Sequence, residues 1–285
     1  YNIFMPKVRL DVLLVEKGLA DSRAKAHALI MAGQVRVAHQ VVLKPATAIQ
    51  ADATVTVDSG PRYVSRGGEK LDGALTTFKI DVKDFVCVDV GSSTGGFTDC
   101  LLQHGAKKVY AIDVGKGILH WKLRTDSRVV VMEETNARFV ESIPEKVDFV
   151  TVDASFISLK VLLPVIRKWF EIFPLSSFEE GKRKEERNIL ALIKPQFEAG
   201  RRDVSKGDGV IRNPEIHKQV LIDVLSFAKN EGFGLKGLVK SSLLGPKGNV
   251  EFLLWMDLTP NDVLVEDLVS HVMKQEIASD EETSS

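Results

Sequence analysis

Apolar positions fall in two regimes along the chain. Between residues 7 and 60 the runs are short. Leu10, Leu13, Leu14 and Leu19 form a helical stripe that closes near Gly18. Asp21 and Ser22 offer N-caps to a second helix carrying Ala24, Ala26, Ala28, Leu29 and Ile30, with Gly33 at its end. Val35, Val37, Val41, Val42 and Leu43, then Val55 and Val57, read as short strands. From residue 85 onward strands and helices alternate. Strands are expected at 85–90, 108–114, 129–132, 147–152 and 188–194, and helices at 94–104, 119–124, 159–173 and 214–230. Two closing strands, 234–243 and 250–258, have no room for a crossover helix between them and must form an antiparallel hairpin. Before the alternation starts, Ser65 or the adjoining glycines can cap a helix running through Leu71, Ala74, Leu75 and Phe78. The expected class is α/β: a small α+β module, then a mostly parallel, Rossmann-like doubly wound sheet with an antiparallel hairpin edge.

Composition narrows the classes. A chain of 285 residues holds one large domain, or a large and a small one, and 44% hydrophobic residues suffice for a sizeable core. The richest apolar run, Val161-Leu162-Leu163-Pro164-Val165-Ile166, is too short to span a bilayer, so no integral membrane insertion is expected. No signal peptide is visible, and a cytoplasmic protein is expected. Cys87 and Cys100 belong to no metal-ligand spacing and read as buried free thiols; no metal is expected. Up to residue 70 there are ten Lys or Arg against six Asp or Glu, so a front of +4 precedes a body of −5. That asymmetry favours an anionic partner for the front. Residues 176–187 form a mixed-charge excursion expected to be solvated. The stretch 198–213, with Arg201, Arg202, Lys206 and Arg212, is basic, glycine-containing and long for a loop. The acidic, serine-rich end from residue 278 reads as a frayed tail.

The candidate chemistry begins at Val86-Cys87-Val88-Asp89-Val90-Gly91-Ser92-Ser93-Thr94-Gly95-Gly96-Phe97. A β-branched run ends in an acid, turns through glycines and opens a helix, which brings backbone N–H groups against a nucleotide-like ligand. Ser93 stands where a dinucleotide fingerprint needs its second glycine, so that motif fails. The looser Asp-x-Gly-x-x-x-Gly-Gly fits instead, the loop that methyltransferases place around S-adenosylmethionine. Asp89, Gly91, Ser92, Ser93, Gly95, Gly96 and Phe97 are therefore candidate cofactor-binding residues. Asp113, at the end of the second strand, can accept ribose hydroxyls, and Glu134 and Asn136, past the third, can meet the adenine edge. Asp153 and Lys194 end the fourth and fifth strands. The carboxyl ends of such strands face the ligand crevice, so both should stand beside that loop. Lys70 and Glu251 complete Lys-Asp-Lys-Glu in chain order.

Two resemblances bear on function. The run Arg9-Leu10-Asp11-x-Leu13-Leu14-Val15-Glu16-x-Gly18-Leu19-Ala20-x-Ser22-Arg23, continuing to Gln34-Val35-Arg36-Val37, resembles the S4 RNA-binding module over residues 8–58. This implies that Arg9, Arg23, Lys25, His27 and Arg36 meet RNA, with Arg66 nearer the second domain. Val64-Ser65-Arg66-Gly67-Gly68-Glu69-Lys70-Leu71, the loop 89–99, Asp153-x-Ser155-Phe156-Ile157-Ser158, residues 193–200 and Gly245-Pro246-x-Gly248-Asn249-x-Glu251-Phe252 resemble the TlyA family. That family joins an S4 module to an FtsJ-like ribose 2′-O-methyltransferase domain, and many members are labelled hemolysins. The resemblance implies S-adenosylmethionine as cofactor and ribosomal RNA or ribosomal subunits as partner, with cytidine ribose favoured. It also implies Lys70, Asp153, Lys194 and Glu251 as catalytic tetrad. Lys194 would stabilise a developing alkoxide or take its proton. The domains are expected at 5–60, 66–270 and, as a flexible tail, 271–285, with 61–65 as linker. The segment 176–187 looks longer than usual for the family, and Gly207-Asp208-Gly209 replaces a simpler Lys-Gly-Gly. The competing readings are a membrane-active hemolysin and an RNA-binding protein with an inactive methyltransferase-like body.

Overall fold

The computed structural model describes residues 7–58, 60–172, 187–200 and 209–283. Most of the mixed-charge segment, and Arg201, Arg202 and Lys206, lie outside them. The chain divides into two compact units, Tyr1–Arg62 and Tyr63–Ser285. The boundary falls inside the stretch expected as a linker, because Tyr63 is 2% exposed and belongs to the core of the second unit.

In the first unit, α1 (Leu10–Glu16) and α2 (Arg23–Met31) pack Leu10, Leu14, Ala26 and Ile30 against Val35. Ser22 caps α2 as expected, its Oγ accepting from the Lys25 N–H at 3.2 Å. Strand β2 (Val35–Val37) lies between β3 (Gln40–Val41) and β5 (Val55–Val57), all antiparallel. A second pair, β1 (Lys7–Arg9) with β4 (Ala48–Gln50), has no counterpart in the sequence reading. Strands of three residues are too short to show a period of two.

The second unit is built on one seven-stranded sheet. Its strands are β6 (Val86–Val90), β7 (Lys108–Ile112), β8 (Val129–Met132), β9 (Phe149–Val152), β10 (Asn188–Ile193), β11 (Gly234–Lys240) and β12 (Phe252–Asp257). The order is β11-β12-β10-β9-β6-β7-β8. Strands β6 to β10 pair in parallel, while β12 runs antiparallel to both β10 and β11. The hairpin edge is thus present, with its second strand the inner one.

Side chains alternate across this sheet with the pleat. Val86, Val88 and Val90 join Ile189, Ala191 and Ile193 in a core covered by α6 (Leu159–Glu171), α8 (Pro214–Asn230) and α9 (Val265–Thr283). Cys87, Leu190, Leu192 and Leu253 face the other way, under α3 (Gly67–Phe78) and α4 (Gly96–Gln103). Two short helices, α5 (Trp121–Arg124) and α7 (Pro195–Glu198), follow β7 and β10. Helix α9 runs through the stretch expected as a tail; Val265, Val269, Val272 and Met273 give it a buried stripe at helical spacing. Cys87 and Cys100 are buried and unpaired with each other, and burial pushes the Cys87 thiol well up.

Trp169 on α6 is 1% exposed and donates its indole N–H to the Val140 carbonyl at 2.7 Å. Trp169→Ala removes both the ring and that bond. It is expected to destabilise the second unit by about 3–5 kcal/mol, read as a lower urea midpoint in far-ultraviolet circular dichroism.

Candidate active site

Strand register brings the candidate catalytic side chains to one edge. Val90 pairs with Val152, Val152 with Ala191, and Ile193 with Phe252. The residues just past β6, β9 and β10 therefore emerge together. Because β12 is antiparallel, the residue just before it, Glu251, emerges there too. Lys70 comes in from α3. The Lys194 Nζ lies 2.6 Å from Asp153 Oδ1 and donates to Ser155 Oγ at 3.0 Å and to the Asp153 carbonyl at 3.3 Å. The Lys70 Nζ donates to Glu251 Oε2 at 2.6 Å. Lys70, Lys194 and Glu251 are buried, while Asp153 keeps a quarter of its side chain exposed. Two opposed ion pairs thus share one cavity of about 330 Å³, lined also by Arg66, Ser92, Thr94 and Phe97. The second oxygen of Glu251, Oε1, has no hydrogen-bond partner among the described residues. Gly245 lies against it, and a Cβ there would come within 2.0 Å.

The loop after β6 is shaped by close approach. Gly91 has φ 82°, and a Cβ on it would stand 2.7 Å from the Asp153 carbonyl oxygen. A Cβ on Gly96 would fall 2.3 Å from Ser65 Oγ and 2.9 Å from the Gly68 nitrogen. Ser93, itself at φ 51°, donates its N–H to Asp113 Oδ2 at 2.8 Å, and Gly115 donates to Oδ1 at 2.7 Å. Gly91 and Ser93 border a second cavity of about 270 Å³, with Ile112, Ile118, Ala154 and Leu162 as apolar walls and Asp113 and Asn136 as polar ones. Gly91, Ser93 and Asp153 line both cavities.

Three expected cofactor residues line neither cavity. Asp89 is fully buried, its carboxylate accepting from the Thr98 hydroxyl at 2.6 Å and the Thr151 hydroxyl at 3.0 Å. It braces α4 beneath the loop. Gly95, at φ 97°, is required by packing: a Cβ would meet Leu123 Cδ1 at 2.2 Å. Glu134 turns outward, 62% exposed, and pairs with Lys116 at 3.1 Å. Its neighbours Thr135 and Asn136 line the slot instead.

Other residues went unread in the sequence. The Glu133 carboxylate accepts the backbone N–H groups of Gly117, Ile118 and Leu119 at 2.8, 3.0 and 3.1 Å and pairs with Arg124 at 2.5 Å. Those backbone donors, with Arg124, hold its pKa down at about 2. It fixes the loop that carries Ile118 to the slot. Phe156, two residues past Ala154, is 90% exposed at φ 65° and stands 4.9 Å from the Phe197 ring. A bulky residue in that region is strained. Asp72, Cys100 and His104 also cluster, but His104 Nε2 and Asp72 Oδ1 lie 2.7 Å apart, a direct contact closer than two ligands of one zinc ion.

In the first unit, Arg9 and Arg23 both reach the buried Asp11 carboxylate at 2.9 Å. The Arg9 guanidinium holds that carboxyl well below the usual range, helped by Arg23. Both guanidiniums stay more than half exposed, Lys25 and His27 are exposed, and Arg36 pairs with Asp58 at 2.9 Å.

A family model for FtsJ-like methyltransferases matches residues 63–258, and one for the S4 domain matches residues 8–55. The chain is 44% identical over 254 residues to a Mycobacterium tuberculosis protein named 16S/23S rRNA (cytidine-2′-O)-methyltransferase TlyA, covering 88% of this chain and 90% of that one. It is 42% identical over 249 residues to Hemolysin A of Brachyspira hyodysenteriae, covering 86% and 98%. A solved structure from Streptococcus thermophilus, whose given name proposes a hemolysin, superposes with a TM-score of 0.66 at 41% identity, covering 98% and 99%.

Full burial pushes the Asp89 carboxyl up to about 7, against the Thr98 and Thr151 hydroxyls that favour its charged form. Between the ordinary value of 3.8 and about 7 the folded state therefore holds a proton that the unfolded state has lost, and stability falls as pH rises through that window. Asp89→Asn, compared with the wild type by urea denaturation, is expected to remove a slope approaching about 1.4 kcal/mol per pH unit. Equal slopes in both proteins would show that Asp89 ionises normally.

Proposed function

The chain belongs to the TlyA family, in which an S4 domain precedes an FtsJ-like methyltransferase domain, and on that footing we propose that it methylates ribose 2′-oxygens of ribosomal RNA, cytidine favoured, using S-adenosylmethionine. The observation that carries this reading is the pair of opposed ion pairs, Lys194–Asp153 and Lys70–Glu251, in a cavity adjoining a nucleoside-sized slot.

The slot suits the cofactor. Its apolar walls fit an adenine ring, the Asp113 carboxylate fits ribose hydroxyls, and Asn136 offers an amide at the rim. Gly91 lets the loop approach closely where the two cavities meet. Once bound, S-adenosylmethionine supplies an electrophilic methyl group on sulfur. The protein must then align the ribose hydroxyl and deal with its charge and proton.

Lys194 suits the first task. Three acceptors ring its Nζ, the complement of an ammonium group with three donors. In that form it can turn one donor, the one on the distant Asp153 carbonyl at 3.3 Å, toward the 2′-hydroxyl and stabilise negative charge growing on the oxygen. Methylation, in which an O–C bond replaces the S–C bond of the donor, would make the hydroxyl proton strongly acidic. The Lys194–Asp153 pair would take it, and the partly exposed Asp153 carboxylate has room to hold it and release it to solvent. The second pair keeps Lys70 close without leaving a bare buried charge. The exposed ring of Phe156, on the border of the slot, suits stacking on a nucleobase, and Arg66, which lines the cavity of the two ion pairs, suits a phosphate.

The exposed face of Arg9, Arg23, Lys25 and His27 supports RNA capture by the first unit, and a ribosomal substrate would favour a cytoplasmic location. The hemolysin names stay with the relatives that carry them: among the described residues no helix is long and apolar enough to cross a membrane.

Lys194→Ala is expected to lower methyl transfer to ribosomal RNA by at least about 100-fold while RNA binding stays within about twofold. Transfer of a tritiated methyl group and filter binding measure the two. A variant that methylates at the normal rate would remove Lys194 from the reaction.

A further inference from the structure

Lys194 and Asp153 sit past the ends of different strands, 41 residues apart in sequence. The ladder between β9 and β10 fixes their register only as far as Val152 and Ala191. Beyond it the two segments no longer pair with each other, although the Asp153 N–H still donates to the Val90 carbonyl at 2.8 Å and Ile193 still pairs with Phe252. The segment after β9 turns through a strained residue, Phe156 at φ 65°. Something must hold the two segments together past the sheet.

Two contacts do so. The Phe156 and Phe197 rings meet at 4.9 Å. Further out, the Glu198 carboxylate accepts the Ser158 hydroxyl at 2.5 Å and the Leu159 N–H at 2.7 Å. Ser158 Oγ in turn accepts the Lys160 N–H at 3.1 Å, so the first turn of α6 is tied to the segment that carries Lys194. Glu198 is half-buried, and burial pushes its carboxyl up despite these donors. It lines neither cavity and touches none of the tetrad.

The geometry points to Glu198 as a positioning residue for the acceptor side of the site. Its reach across to Ser158 and Leu159 clamps the turn 153–158 against the turn 194–198. That clamp sets the Lys194–Asp153–Ser155 geometry and holds Phe156 in its strained conformation. This role rests on the methyl-transfer reading above, since it is the alignment of an acceptor hydroxyl that the clamp serves.

Two substitutions separate reach from charge. Glu198→Asp keeps the charge but withdraws the carboxylate by one methylene. Glu198→Gln keeps the reach and an acceptor oxygen. With unmethylated ribosomal RNA as acceptor and saturating cofactor, Glu198→Asp is expected to lower kcat by about 10-fold or more, in line with the cost of a misplaced reacting group. Glu198→Gln should retain kcat within about threefold. Normal kcat in Glu198→Asp, even with a lowered Tm, would leave Glu198 a helix cap only and overturn the inference. So would a Glu198→Gln as slow as Glu198→Asp. Wild type and Lys194→Ala run in the same assay. A wild type that transfers no methyl group would overturn the methyl-transfer reading itself, whereas an active wild type with an equally active Glu198→Asp would overturn only the clamp.

Discussion

The reactive edge depends on one strand running the wrong way. If β12 were parallel to β10, Glu251 would lie at the opposite end of the sheet from Lys194, roughly six residues or about 20 Å away. Antiparallel pairing of Ile193 with Phe252 brings the start of β12 level with the end of β10. Glu251 can then meet Lys70, whose backbone lies on a helix 181 residues earlier. Sheet register thus assembles side chains from three separate stretches, and α3 brings the fourth, Lys70, to meet them.

Burying lysines and carboxylates together is costly unless each charge is answered. Here the two pairs answer each other locally, and the glycines around them keep the backbone close. Gly245 presses on Glu251, and Gly91 presses on the Asp153 backbone. Within the two pairs, Oε1 of Glu251 remains a buried oxygen without a partner among the described residues. An oxygen of that kind is a poor feature of a resting core and a sensible one of a site that receives a hydroxyl-bearing ligand.

The architecture was largely legible in the sequence because long β-branched strands separated by helical stripes have few alternative arrangements. The 129–132 strand and the 214–230 helix have the bounds the pattern suggested. The short β1 and β4 strands were not legible, and α9 was obscured by its acidic end although Val265, Val269 and Val272 carried a usable period. At the site, strand ends pointed to Asp153 and Lys194, since that is where such a sheet faces its crevice. Lys70, on α3, and Glu251, before β12, joined the candidates through the family resemblance; the structure brings all four together. Side-chain direction was another matter. Asp89, Glu133 and Glu134 are all acids at strand ends, yet one is sunk beneath the loop, one ties down a neighbouring loop and one faces solvent. Only three-dimensional neighbours, Thr98 and the N–H groups of 117–119 among them, decide between those outcomes.

Asp11 has a consequence for the basic face of the first unit. A single carboxylate serves two guanidiniums, so Arg9 and Arg23 are already ordered before any ligand arrives. Much of the rotamer entropy that long cationic side chains surrender on meeting a polyanion has been surrendered in advance. The same sharing leaves the trio with one net positive charge rather than two. An encounter with RNA through it would release fewer condensed counterions than two free arginines would, and would depend on shape more than on ionic strength.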